Sequence, residues 1–350
     1  MSPLTETLAA LVDIPSTSGS EGRLCTWVAG RLLPVWTMQA VRRVGNSLIV
    51  GPRTGRPLVT LYGHLDTVPE QGNGMARIDG DRMYGLGTSD MKAGLAVMIH
   101  LLEDEVVRSG PYDVVGVFYE KEEGPSDENG LEDVLARAAW LTEAEFAVVL
   151  EPTDLQLELG CSGVLNADVI FRGHAAHSAR PWLGENAVTK AGEWLAAMHR
   201  RQPEVVEVGG LEYREVFSVT RADGGIADNV IPAEFVANLN HRFPPIYGID
   251  EAEARLREVA AGADEVVVRD RAPAGTVPVG NPYLARLAAV IGGEPRAKQG
   301  WTDVARLTSR GIPAANYGPG EVDQAHQVSE SVPLGNLEVA HMTLRRFLTE

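Results

Sequence analysis

The sequence predicts an α/β fold, a three-layer αβα domain interrupted by an inserted ferredoxin-like α+β module, and three observations carry that expectation. Apolar runs at Pro57–Leu61, Val114–Tyr119 and Phe146–Leu150 read as strands buried on both faces of a parallel sheet. From about residue 164 the rhythm changes to strand, helix, strand, strand, helix, strand, which is a split βαββαβ unit. The 350 residues also exceed what one hydrophobic core usually serves. The boundaries follow: 1–163 and 274–350 are the two parts of the first domain, and 164–273 is the module.

Taken in order, residues 3–13 and 20–33 have helical periodicity, separated by Ser16-Thr17-Ser18-Gly19-Ser20, whose small polar residues suit a break and a cap. Strands are expected at 37–43, 47–51 and 57–62, the last running into Tyr62-Gly63-His64-Leu65-Asp66-Thr67-Val68-Pro69. Met83 to Gly94 then leads into a helix through about 106, with Ser89 and Asp90, both N-cap formers, in its first turn. The second buried strand ends in Glu120-Lys121-Glu122-Glu123-Gly124, the third in Glu151-Pro152-Thr153. In the module, strands are expected at Leu165–Arg172, Tyr213–Arg221, Ala233–Phe243 and Glu265–Arg271, with helices at Asn186–Arg201 and Asp250–Ala261. Helices at 281–291, 302–310 and 333–348, with a strand at 313–317, resume the α/β rhythm.

Composition narrows the function. Hydrophobic content of 44% excludes disorder, and a net charge of −17 with no Lys/Arg run argues against nucleic acid and anionic membrane surfaces as partners. No stretch approaches the roughly 18 apolar residues of a membrane span. The start, MSPLTETLAALVDIP, reads as an amphipathic helix rather than a signal peptide. Cys25 and Cys161 make neither a disulfide framework nor a thiolate metal site, so a cytoplasmic location is expected.

The strand ends collect a metal-ligand set. His64, Asp90, Glu122, Glu123, Glu151 and the later His326 comprise two imidazoles and four carboxylates without a thiolate. Such donors suit a pair of borderline-hard divalent ions, zinc first, with cobalt or manganese as substitutes. Two ions about 3.5 to 4 Å apart need one carboxylate between them, and five protein ligands leave room for a water. An imidazole with a carboxylate two residues on, as in His64 and Asp66, fits a metal ligand held in one tautomer by its neighbour. The arithmetic points to a two-metal hydrolase.

Gly63-His64-Leu65-Asp66-Thr67-Val68-Pro69, Gly87 to Gly94, Glu122-Glu123-Gly124, Glu151-Pro152-Thr153, Ala176-His177-Ser178 and Ala325-His326 stand in one order and spacing. Together they resemble the di-zinc aminoacylase, carboxypeptidase and desuccinylase family of metallopeptidases over nearly the full chain. The resemblance implies that the first domain is catalytic and the module a lid and dimerisation domain. It implies that Asp90 bridges two zinc ions, that His64 and Glu151 complete one site and that Glu123 and His326 complete the other. Asp66 would orient the His64 ring, and Glu122 would be the general base. A turn at Gly124 is expected to let Glu122 and Glu123 address one site. His177 resembles a histidine that reaches the active site of the partner subunit and steadies the oxyanion, so a homodimer is expected. His174 has no such match and is read as structural.

Longer matches, including Leu159 to Gly163, Ala176 to Ala187, Lys298 to Val304 and Asn316 to Gly320, resemble the actinobacterial desuccinylase branch. That branch implies hydrolysis of N-succinyl-L,L-diaminopimelate to succinate and L,L-diaminopimelate in lysine biosynthesis. By the same resemblance Asn229, Arg242, Gly300 and Thr302 are the substrate contacts, and an Arg fork suits a carboxylate. The resemblance also admits an N-acetyl-ornithine or N-acetyl-lysine deacylase and a di-zinc dipeptidase. Glu151, where the peptidase branches more often carry Asp, favours the deacylases.

Overall fold

A computed structural model describes residues 1–350 and divides them into two units. One comprises Met1–Gly160, Val277–Arg296 and Thr302–Glu350; the other comprises Cys161–Thr276 with Ala297–Trp301.

The first unit is built on an eight-stranded sheet, of which it holds all but Ala297, in the order Val41–Val44, Ser47–Val50, Asp113–Tyr119, Leu58–His64, Phe146–Val149, Ala314–Asn316, Glu158–Leu159, Arg296–Ala297. Every residue of the Ser47–Val50, Leu58–His64, Asp113–Tyr119 and Phe146–Val149 strands is buried. Alternate side chains point to opposite faces, so complete burial means both faces are covered, as a three-layer unit requires. The Leu58–His64 strand is parallel to both neighbours, with His64 level with Tyr119 and Tyr62 level with Val149. The residues that follow these strands therefore emerge at one edge of the sheet, where open α/β sheets hold ligands.

Helix Ala93–Glu103 packs against the Leu58–His64 and Asp113–Tyr119 strands. A Cβ on Gly94 would meet the Leu150 carbonyl oxygen at 2.4 Å, so glycine permits this close seating. The expected N-terminus differs. Asp90 and Met91 have non-helical backbone, and the helix starts at Ala93, so Ser89 and Asp90 lie in an irregular turn ahead of it. The helix also ends at Glu103, where Asp104 starts a second, Glu105–Arg108, by accepting from the Val106 and Val107 amides.

The second unit carries a five-stranded antiparallel sheet in the order Glu204–Val208, Leu211–Gly224, Glu234–Phe243, Gly163–Arg172, Glu265–Ala272. Leu165, Ala167, Val169 and Phe171 alternate onto one face and pack with Ala237, Leu239, Trp194 and Leu256. The Asn186–Arg201 helix is broken at Ala191 into Ala187–Lys190 and Gly192–Arg200. Glu204–Val208 is a strand the βαββαβ pattern omits. It turns through Gly209 and Gly210, at φ of 61° and 82°, into its partner, a two-residue hairpin that glycine pairs favour. A small sheet of Ser331–Pro333, Arg82–Tyr84 and Arg77–Asp79 was likewise not expected. No helix is long and apolar enough to cross a membrane.

Candidate metal centre

The parallel strands deliver their end residues to one place. His64, Asp90 and Glu151 form one group of ligand atoms within 4.8 Å of each other; Asp90, Glu123 and His326 form a second; His64, Glu122 and Glu123 form a third. Asp90 is common to the first two groups. Its Oδ1 lies 3.1 Å from His64 Nε2, and its Oδ2 lies 3.7 Å from His326 Nε2. One carboxylate oxygen thus faces each group. Glu151 Oε1 is 3.9 Å from His64 Nε2, and His326 Nε2 is 3.0 Å from Glu123.

The His64 ring is set from behind. Nδ1 lies 3.1 Å from the Asp66 backbone carbonyl, which accepts its proton, and 3.5 Å from the Asp66 carboxylate. Held this way, the ring turns Nε2 toward the cluster, where its lone pair would serve a cation that takes the place of the proton there. The Asp66 carboxylate has further duties: it accepts the amides of Glu122 and Glu123, both at 2.9 Å, and the Ser18 hydroxyl at 2.6 Å. Against the upward pull of burial, His64, Ser18 and the Glu122 amide hold Asp66 below the ordinary carboxylate range.

The turn that presents Glu122 and Glu123 is at Lys121, with φ of 60°, rather than at Gly124. Glu21 braces it by accepting the Lys121 amide at 3.2 Å. Glu120 takes no part in the cluster, since its carboxylate accepts the Asn46 amide and side chain at 2.8 and 3.0 Å. Burial pushes Glu122 well above the usual carboxylate range, and Glu151, Asp303 and Glu123 add to this against the opposite pull of His64. Hydrogen bonding to Glu123 raises His326 to about 9. For His64, burial lowers the ring, yet Asp66, Asp90 and Glu151 hold it well above 6.5.

Two imidazoles among at least three carboxylates, in two groups sharing one residue, fit a pair of divalent cations. The donor chemistry and spacing satisfy the requirement.

The remaining sequence candidates lie elsewhere. In the second unit, exposed His177 and Asn229 adjoin: Ser178 donates its amide to the Asn229 carbonyl at 2.9 Å, and His177 pairs with Val230. His177 Nδ1 accepts the Ala179 amide at 3.1 Å, which leaves Nε2–H as an outward donor. Arg242, half-buried in the Glu234–Phe243 strand, donates from Nε to Asn240 at 3.3 Å, and burial lowers its pKa. Gly300 is exposed within the Ala297–Trp301 segment of that unit, whereas Thr302 is buried in the first. His174 is exposed, with Glu185 at 3.8 Å.

Two buried carboxylates beside the cluster escaped sequence reasoning. Asp303 receives the Asn129 side chain at 3.1 Å and lies 2.7 Å from Arg306. Glu330 holds the turn of Asp90 through three amides and is raised by burial to about 7. Neither ends an apolar strand, so periodicity gives no sign of them.

The sequence model described as peptidase family M20/M25/M40 matches residues 60–350. The chain belongs to this family. It is a hydrolase that acts on amide bonds. It is 39% identical over 345 residues to a protein of Mycobacterium tuberculosis named putative succinyl-diaminopimelate desuccinylase DapE, covering 98% of this chain and 97% of that one. It is 37% identical over 352 residues to the succinyl-diaminopimelate desuccinylase of Corynebacterium glutamicum, covering 97% and 94%. Among solved structures, aminopeptidase PepT of Bacillus cereus superposes with a TM-score of 0.80 at 18% identity, over 99% of this chain and 97% of that one. The YXEP protein of Bacillus subtilis, described as a dinuclear metal-binding peptidase of the M20 family, gives 0.70 at 17% identity, over 99% and 96%. At such identities these two structures speak for the fold alone.

Proposed function

We propose that this chain is a cytoplasmic di-zinc desuccinylase that cleaves N-succinyl-L,L-diaminopimelate into succinate and L,L-diaminopimelate. The observation that carries the metal chemistry is the pair of ligand groups joined through the two oxygens of Asp90, with Glu122 beside them. The desuccinylase assignment is supported by 39% and 37% identity, over nearly the whole chain, to proteins named for that activity.

His64 and Glu151 would hold one ion, Glu123 and His326 the other, and Asp90 both. Bound there, such a pair polarises an acyl carbonyl and makes a water molecule acidic near neutrality. Glu122 would take a proton from the attacking water as the water oxygen bonds to the succinyl carbonyl carbon. Lying beside both ligand groups, it would hold that proton and pass it to the amine nitrogen as the C–N bond breaks. His177, through Nε2–H, would steady the developing oxyanion, a donor worth about 3 kcal/mol in comparable sites. In this reading it acts from a homodimer partner, which sedimentation analysis tests. Arg242 would pair with a substrate carboxylate and Asn229 with a polar group near it, with Gly300 and Thr302 close to the same substrate.

The test is hydrolysis of N-succinyl-L,L-diaminopimelate by zinc-loaded protein beside N-acetyl-ornithine and N-acetyl-lysine. A preference for the succinyl compound of about 10²-fold in kcat/KM, about 2.7 kcal/mol, is expected. Arg242→Ala is expected to raise KM for succinylated substrates by roughly tenfold and to spare acetylated ones. Preference for an acetyl substrate moves the assignment to a deacylase of the same chemistry.

A further inference from the structure

Glu330 stands four residues after His326 and is 2% exposed. Its carboxylate accepts three backbone N–H groups of a single turn: Gly87 on one oxygen at 2.7 Å, Ser89 and Asp90 on the other at 2.8 and 3.0 Å. Asp90 and Met91 have non-helical backbone, so this turn does not satisfy its amides as a helix would. A buried carboxylate supplies what the backbone lacks. Two more bonds tie the same strands of chain together: the Ser89 hydroxyl donates to the Ser331 carbonyl at 2.9 Å and accepts the Glu321 amide at 3.0 Å. The segment that carries His326 and the turn that carries Asp90 are thus joined through Glu330.

We propose that Glu330 is a positioning residue for Asp90 and sets the affinity of the metal pair; this rests on the metal-centre reading above. Asp90 must aim one oxygen at each ligand group, so a small rotation of its turn displaces ligands of both ions at once. Hydrogen bonds from three amides of one turn to a single buried carboxylate fix that rotation. The negative charge of Glu330 alone would not supply such aim. Groups behind metal ligands typically change metal affinity about 10- to 100-fold when removed.

The geometry separates two substitutions. Glu330→Gln keeps the shape and one acceptor oxygen but confronts at least one amide N–H with an NH₂ group. Glu330→Ala leaves all three amides unmatched. Both remove the charge equally. Zinc affinity, measured by competition with a chromophoric chelator, is expected to fall about 10- to 100-fold in Glu330→Ala and by less in Glu330→Gln. The visible spectrum of the cobalt-loaded Gln variant is expected to differ from that of the parent, which loss of stability alone would not produce. Equal losses in both variants, or none in Glu330→Ala, overturn the proposal. If neither variant folds, amide exchange in the metal-free parent decides: slow exchange at Gly87, Ser89 and Asp90 supports the clamp, and unprotected exchange overturns it. Asp90→Ala is the control. Undiminished zinc binding in that variant, or no zinc binding by the parent, refutes the metal-centre reading itself, whereas expected controls with an unaffected Glu330→Ala refute only the role of Glu330.

Discussion

Two clusters in this chain join imidazole to carboxylate, and they settle their charge in opposite ways. In the inserted unit Glu215 and His241 are buried 2.8 Å apart, and Phe217 stacks on the ring at 4.0 Å. The Arg255 guanidinium binds both oxygens of Glu215. One cation, one anion and one imidazole close the account locally. In the candidate metal centre Asp90, Glu122, Glu123 and Glu151 gather about His64 and His326, and three carboxylates press on Glu122 against a single imidazole. The first cluster balances its charge with its own side chains. The second carries an excess of anionic donors, which a pair of dications would offset, and that difference separates a structural ion cluster from a chemical one.

The largest effect expected is at Glu122. Glu122→Gln removes the proton carrier and none of the five assigned ligands, so kcat should fall on the order of 10³-fold, about 4 kcal/mol, with zinc stoichiometry unchanged. Initial rates and metal analysis of the same preparation check this. Substantial turnover by the Gln variant would remove Glu122 from the mechanism, and lost zinc would make it a ligand.

A smaller effect is expected from opening the self-sufficient cluster. Arg255→Met leaves Glu215 buried without its cation and should cost roughly 3 kcal/mol of stability. Urea unfolding of the metal-free protein measures it. Zinc affinity should not change, since Arg255 belongs to the other unit. A parallel fall in zinc affinity would show that the two clusters do not act independently.

The contrast also explains what the sequence revealed. The sheet is legible because burial on both faces writes unbroken apolar runs, and His64, Glu122, Glu123 and Glu151 are legible because they end or closely follow those runs, whereas Asp90 and His326 rest on the motif resemblance. His64 and Glu151 needed only that rule. The Lys121 turn is not legible: a positive φ at a lysine has no composition signal, whereas the nearby Gly124 carries one. Ser89 and Asp90 have residue types that favour caps, yet the helix starts only at Ala93, and the backbone amides of both are taken by Glu330, 240 positions from Asp90. Contacts of that separation leave no local periodicity. The Glu204–Val208 strand was missed for a different reason. Its Gly209-Gly210 turn is a hairpin signal in plain view, but the βαββαβ template supplied no place for an extra strand.

The smallest effects expected concern pH, and there the clusters should have opposite signs. Glu215 has its folded pKa held at about 2, against the upward pull of burial, by Arg255 and His241, below the ordinary 4.5. A depressed carboxylate contributes stability that is whole above pH 4.5 and is lost as pH falls through about 2. His241, lowered by burial from 6.5, adds a loss that begins as pH drops below that value, because the unfolded ring then binds the proton more readily. Glu122 in the metal-free protein runs the other way. Its folded pKa is raised, so the folded state binds the extra proton, and the centre gains stability on acidification. Melting curves of metal-free parent, Glu215→Gln and Glu122→Gln across this range separate the terms. Glu215→Gln should melt below the parent at neutral pH, with the gap closing between pH 4.5 and about 2. Glu122→Gln should melt above the parent at neutral pH, and its gap should close as acid protonates Glu122. Saturating zinc should erase the second difference and leave the first, because the ions supply the charge that the metal-free centre takes from protons. A zinc-independent gap for Glu122→Gln would mean that the carboxylate is held by protein groups alone, and the two clusters would then differ in degree rather than in kind.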